Sequence, residues 1–209
     1  PKAGTSAATM TDAQLASVSR VLAANDPQTI EVTSGGGAGT KRDRNVELIV
    51  KDPRLLAKKK PAFTLVCLNA IQEEIGGHGA MMATYRLKPD LCICLDVTHA
   101  TDAPGIDEKE VGSHPFGSGP VIGRGSTLSP RVYELLVAAA KDAGIDYSVG
   151  ASGNATHTDA DSLQISRTGI PTGLVSIPLR YMHSPVEMVD LNDVEATVEL
   201  LVAFVLSLE

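Results

Sequence analysis

Four residues that could ligate a metal ion or exchange a proton each follow a strongly apolar stretch of the chain. They are Glu73, Glu74, Asp96 and His183. Adjacent glutamates can divide the work of hydrolysis, because neighbouring loop side chains point in different directions. One carboxylate can then bind a metal ion while the other takes a proton from water. Carboxylates with an imidazole suit a zinc-like or manganese-like ion. The structural alternative is that the acids are helix caps or loop hydrogen-bond acceptors.

The apolar stretches before these residues, 63–68, 91–95 and 173–177, are typical of central strands in a parallel sheet. Amphipathic segments alternate with them, which predicts an α/β fold with a mostly parallel sheet and helices on both faces. The carboxyl ends of parallel strands open on one crevice, so the four residues are expected to meet there. Helices are predicted at 11–24, 80–87, 130–143 and 159–167, and in a last segment capped by Asn192. The helix at 130–143 is expected to be capped by Ser129 and stopped by Gly144.

Two loops and one boundary complete the predicted organisation. Residues 98–127 are rich in Gly and Pro and lack periodicity, and a loop of that length in a compact domain is usually functional. Residues 34–39 are glycine-rich but do not match a phosphate-binding motif, so a linker is the favoured interpretation. We expect one main domain at 41–209, with 1–40 as an appended or incomplete segment.

The composition excludes some classes of function. The chain has 209 residues and a net charge of −7, and only 3% are aromatic, so neither a basic face nor stacking platforms for nucleic acid are expected. No apolar run reaches the roughly 18 residues of a membrane span. The three cysteines lie in predicted strands, which indicates free thiols in a reducing cytoplasm rather than a disulfide framework.

Four strings of the sequence match a known family. They are QEEIGGHGA, LDVTHATDAPG, TDADSLQISRTGIPT and SIPLRYMHSPVEMVDLNDVE. Together they resemble the M42 family of metallo-aminopeptidases, which includes glutamyl and tetrahedral aminopeptidases. The resemblance runs from residue 63 to the end of the chain, and the last string is highly specific. It implies a dizinc aminopeptidase-like fold, two divalent metal ions (zinc or cobalt first, manganese as a further candidate), a peptide substrate and a homo-oligomer.

The resemblance also implies a role for each matching residue. Glu73 corresponds to the general base, and Glu74, Asp96 and His183 correspond to metal ligands. The family uses a further aspartate, which bridges the two ions and precedes the glutamate pair by about thirty residues. Asp43, followed by an arginine, stands at that distance, although the helix expected after it is not apolar here. The substrate-side positions that match the family's motifs are Asp159 and Arg180.

One departure from the family pattern concerns a histidine ligand in an H-x-D motif. No histidine precedes His78, so the chain is expected to lack the family's N-terminal catalytic segment and most of its inserted domain. An H-x-D string occurs at His157-Thr158-Asp159, but it lies where the family has a substrate-side loop. The prediction is a metal-dependent aminopeptidase, and the alternative is a catalytically impaired remnant that acts as a binding or assembly module. A glycosidase is disfavoured, because two adjacent glutamates cannot flank a sugar bond.

Overall fold

The computed structural model describes residues 30–34 and 63–208 of the chain. The predicted helix at 11–24 and Asp43 with its charged neighbours lie outside the described residues. The strands are β1 (Ile30–Ser34), β2 (Leu65–Asn69), β3 (Cys92–His99), β4 (Val121–Gly125), β5 (Ser148–Ser152), β6 (Thr172–Arg180) and β7 (Met188–Val189). The α-helices are α1 (His78–Leu87), α2 (Glu108–Val111), α3 (Pro130–Ala143), α4 (Ala160–Gln164) and α5 (Leu191–Ser207), and a 3₁₀ helix spans Glu73–Ile75.

Five of the described strands form a mixed sheet in the order β3-β6-β4-β5, with β7 added to β6. The pairs β3–β6 and β4–β5 are parallel, whereas β4 and β7 run antiparallel to β6. A separate parallel pair joins β1 to β2. The predicted α/β architecture is therefore confirmed, and the antiparallel pairings are an addition that the alternation of elements did not predict. The predicted domain boundary at residue 40 stays a prediction.

Helices cover both faces of this sheet. Consecutive residues of a strand point to opposite faces, and on β6 they enter different clusters. Val175 packs with α3 and α5, in a cluster that includes Leu136 and Phe204. Leu174 packs on the other face with Cys94, Leu128 and the helices α1 and α4. Each face thus has its own apolar layer, and Asp96, two residues after Cys94, faces the α1 and α4 side.

The central strands run further than predicted. β3 continues through Asp96 to His99, and β6 continues through Pro178 to Arg180, because residues 96–99 pair with 176–179 along the whole length. Asp96 therefore lies within a strand, and the expectation that it follows the strand end was wrong. Among the helices of residues 63–208, none is both long and apolar enough to cross a membrane.

The helix ends show which local signals were sufficient. Ser129 caps α3 by accepting the N–H of Val132, and the helix ends at Gly144, as predicted. α5 is capped by Asp190, whose carboxylate accepts the Asn192 N–H, so the prediction of Asn192 as the cap was wrong by two residues. Aspartate and asparagine are about equally good caps, so residue type alone does not decide between Asp190 and Asn192.

Candidate active site

A tight turn presents the two adjacent glutamates after β2. The 3₁₀ helix that carries them is flanked by Gln72 and Gly76, both with positive φ, and Gly77 follows with φ 63°. The N–H of Gly77 donates to the carbonyl oxygens of Gln72 at 2.9 Å and Glu73 at 3.2 Å, which closes the turn. Glu73 is half-buried and Glu74 is exposed, so the two carboxylates occupy different environments.

The glutamate turn, β3 and the loop after β6 bring four predicted residues together. The imidazole Nε2 of His183 lies 3.3 Å from Glu74 Oε1, although Glu74 and His183 are some 109 positions apart. Burial raises the pKa of Glu73, the charges of Asp96 and Glu74 raise it further, and His183 lowers it. Asp96, Glu74 and His183 are therefore near enough to Glu73 for their charges to act on its carboxylate, and we refer to these four as the crevice residues.

His183 is held by a loop with an unusual backbone. Both Tyr181 and His183 have positive φ, at 59° and 61°, in the left-handed region that non-glycine residues seldom adopt. The N–H of His183 donates to Glu187 Oε1 at 2.7 Å, and the Ser184 N–H donates to the Tyr181 carbonyl at 3.1 Å. These bonds stabilise the turn that aims the imidazole at Glu74.

The residues of the crevice have the donor chemistry of a divalent-metal site. Glu74 and His183 supply a carboxylate oxygen and an imidazole nitrogen close together, and Asp96 adds a second carboxylate. Across residues 63–208, no three His, Cys, Asp or Glu side chains are grouped closely enough to form a ready ligand set. Asp43, the predicted bridging ligand, lies outside the described residues, so its role stays a prediction. The carboxylate oxygens and the imidazole nitrogen are nevertheless donor types that a zinc-like or cobalt-like ion accepts.

Asp159 lies beside the glutamate turn. Its Oδ1 would be 3.1 Å from a methyl group placed on Gly77, and its charge acts on buried Cys94 together with that of Asp96. His157 is exposed, and its N–H donates to Asp161 at 2.9 Å. Within residues 63–208, no hydrogen bond or ion pair links the His157 side chain to the crevice residues, and the bond to Asp161 holds His157 in its own loop.

Arg180 is engaged by two residues that sequence reasoning did not single out. Its Nε donates to Asp102 Oδ1 at 3.1 Å, its Nη2 donates to Asp102 Oδ2, and its Cζ lies 4.0 Å from the ring centroid of Phe116. Glu187, which holds the His183 loop, was also missed. Asp102 and Glu187 lie inside the strings that match the family, but no spacing rule connects either of them to its partner. The predicted contact of Arg180 and Asp159 with substrate stays a prediction.

A comparison with family models decides the classification. The model of the M42 glutamyl aminopeptidases matches residues 45–200. The chain belongs to the M42 glutamyl aminopeptidase family. Membership of M42 implies the use of divalent metal ions. The lysyl aminopeptidase of Pyrococcus furiosus is 40% identical over 131 residues, which are 63% of this chain and 37% of that protein.

Solved structures agree with the M42 assignment. An aminopeptidase from Desulfurococcus kamchatkensis has a TM-score of 0.67 and 34% identity over 78% of this chain and 46% of its own. The TET1 peptidase of Pyrococcus horikoshii, described as assembling into a tetrahedron or a large octahedral shell, has a TM-score of 0.60 and 26% identity over 77% and 47%. The predicted family and fold are confirmed. The chain spans less than half the length of each of these relatives.

Proposed function

We propose that this chain carries the reaction centre of a metal-dependent aminopeptidase, which removes N-terminal residues from peptides. The observation that supports it is the contact between Glu74 and His183, with Glu73 near enough to both and to Asp96 for their charges to shift its pKa. Membership of the M42 family supports the same reaction class. Glu74, Asp96 and His183, with Asp43 as a further candidate, are the residues that would hold two ions, with zinc or cobalt as the first choice. Such ions supply Lewis-acid polarisation of the scissile carbonyl and acidify water.

Glu73 is proposed as the general base. Its carboxylate takes a proton from the attacking water while the water oxygen bonds to the peptide carbonyl carbon. The same proton passes from Glu73 to the leaving nitrogen as the carbon–nitrogen bond breaks, so the carboxylate ends as it began. A carboxylate whose pKa is raised by burial and by nearby Asp96 and Glu74 is a stronger base than an exposed glutamate. Its neighbour Glu74, which contacts His183, is left for metal binding.

The proposal is tested by chelation and by Glu73→Gln in the protein that carries this chain. We expect hydrolysis of aminoacyl anilides to stop on removal of divalent metal and to return with Zn²⁺ or Co²⁺. Glu73→Gln should lower kcat by about 10²- to 10⁴-fold without loss of bound metal. Glu134→Gln, an exposed change on α3, is the matched control and should leave kcat unchanged. Absence of both bound metal and turnover in the wild-type protein would favour the impaired remnant instead.

We also propose that the protein forms a homo-oligomer and acts in the cytoplasm. The assembly described for the TET1 relative supports the first statement. The free cysteines Cys67, Cys92 and Cys94 support the second, because unpaired buried thiols are usual in reducing compartments. Light scattering of the purified protein tests the oligomer, and a monomer at micromolar concentration would contradict it.

A further inference from the structure

Asp102 and Arg180 connect the ends of the two strands that serve the crevice. β3 contains Asp96 and leads to Asp102, whereas β6 ends at Arg180 and leads to His183. The strand ladder itself extends one bond further, because the N–H of Ala100 donates to the Leu179 carbonyl at 2.9 Å. Beyond that bond, the ion pair is the next tie between the two chain segments. The ion pair therefore connects the segment that follows Asp96 with the segment that precedes His183, and both of these residues are candidate metal ligands.

The guanidinium of Arg180 uses both its edge and its face. The edge donates two hydrogen bonds to the Asp102 carboxylate, a bidentate arrangement that fixes orientation as well as distance. The face lies against the ring of Phe116 at 4.0 Å. The pKa of Asp102 is lowered, chiefly by the hydrogen bond from Arg180, as expected for a stable pair. This contact uses two of the five guanidinium N–H donors, one on Nε and one on Nη2, and it fixes the plane of the group.

Asp102, Arg180 and Phe116 form a stack, and its third residue, Phe116, is held in place by another element of the fold. Phe116 precedes Gly117 and Gly119, whose N–H groups donate to the two carboxylate oxygens of Asp193 at 2.9 and 2.8 Å. Asp193 is 1% exposed and belongs to α5, one of the helices that cover the sheet. The loop that carries Phe116 is therefore anchored to the core, and the aromatic ring gives Arg180 a fixed support.

We propose that the Asp102–Arg180–Phe116 stack is a positioning device that holds the His183 loop against the end of β3. Arg180 is then a positioning residue, in contrast to the predicted contact with substrate. The His183 turn begins directly after Arg180 and passes through left-handed residues, so its direction depends on where Arg180 is fixed. The inference rests on the proposed function only where it concerns metal binding.

Two measurements on the protein that carries this chain test the stack. Hydrogen exchange of the metal-free protein reports on the segments 97–103 and 181–190, with α3 as an internal reference. Titration with Co²⁺ alone reports on the metal site. The variants are Arg180→Met, Arg180→Lys and Asp102→Asn. The matched control is Arg131→Met, which removes an exposed arginine paired with Glu134 on α3.

In Arg180→Met, we expect faster exchange in both segments and unchanged exchange in α3. Co²⁺ binding should weaken by about 10- to 100-fold, the usual effect of losing a group that orients a ligand, with little change in KM for peptide. Arg180→Lys should fall between Met and the wild type, because an ammonium keeps the charge but neither the fork nor the stacking. The double variant Asp102→Asn/Arg180→Met should lose no more affinity than the worse single variant.

Other outcomes separate this inference from the proposed function. A higher KM with unchanged exchange and Co²⁺ affinity would mean that Arg180 contacts substrate, and would overturn the positioning role. Unchanged exchange in all variants would overturn it as well. If the wild-type protein bound no Co²⁺ and hydrolysed no peptide while Arg180→Met still loosened both segments, the proposed function would fail and the coupling of the two loops would stand.

Discussion

Replacing Gly77 by Ala should distort the turn that carries the glutamate pair. A methyl group on Gly77 would lie far inside van der Waals contact of Ser162 Oγ, 3.0 Å from Ser162 Cβ and 3.1 Å from Asp159 Oδ1. The backbone of Gly77 also has φ 63°, which costs an L-residue about 1–2 kcal/mol. The variant therefore meets two separate penalties, one from backbone conformation and one from collision with α4.

Gly144 provides a matched control for the first penalty. It ends α3 with φ 67° and ψ 32°, close to the 63° and 26° of Gly77, but a methyl group placed there meets no atom within 4 Å. Gly144→Ala should cost about 1 kcal/mol of unfolding free energy from backbone strain alone. Gly77→Ala should cost about 1–3 kcal/mol more, the usual effect of overpacking.

Urea unfolding of both variants gives the difference in free energy, and anilide hydrolysis gives the functional effect. We expect kcat/KM to fall about tenfold to hundredfold in Gly77→Ala, because the turn must move Glu73, and to stay unchanged in Gly144→Ala. Ser162→Ala should partly rescue Gly77→Ala, since it removes the nearest colliding atom. Equal stability and activity of the two alanine variants would refute the collision.

Three further predictions concern groups away from the turn. Asp193→Ala should cost about 2–4 kcal/mol in urea unfolding, because two backbone N–H groups lose their buried acceptor; a cost below about 1 kcal/mol would contradict this. For Asp161, burial raises the pKa, but hydrogen bonds from Thr156 and its neighbours lower it more, so the net pKa is lowered. The wild type should therefore have a higher free energy of unfolding than Asp161→Asn. This difference should be complete above the pKa of Asp161 in the unfolded chain, about 4, and should disappear as pH falls through its lower pKa in the folded protein. Burial raises the pKa of Cys67 and of Cys92 to about 11 from 9.0, so both should label with a disulfide reagent roughly a hundredfold more slowly in native than in unfolded protein.

The features that the sequence predicted correctly depend on local signals. The cap at Ser129 and the end at Gly144 depend on residues within one helical turn, and both are observed. The apolar runs located the central strands for the same reason. β4 was missed inside the predicted loop 98–127, because it is short and its antiparallel partner β6 lies about fifty residues later in the sequence. β7 was missed because it has only two residues, although it pairs with β6 close by in the sequence. No periodicity in five or two residues identifies such a pairing.

The candidate site divides in the same way. Glu73, Glu74, Asp96 and His183 could be chosen from their types and their order after apolar runs, and the structure brings them together. Asp102 could not be chosen, because its importance comes from a guanidinium 78 residues later. The geometry between elements thus decides which groups support a site, whereas residue type and order along the chain suggest only which groups are candidates for its chemistry.

The left-handed backbone at His183 affects which inactive variant is informative. Histidine and asparagine tolerate this conformation far better than β-branched residues do. His183→Asn would remove the imidazole and keep the loop, whereas His183→Val would remove both at once. The Glu187 carboxylate accepts a hydrogen bond from the backbone N–H of residue 183, so the asparagine variant can keep this bond. Loss of activity in the valine variant could then not be assigned to the missing imidazole, because the backbone of the His183 loop would change as well.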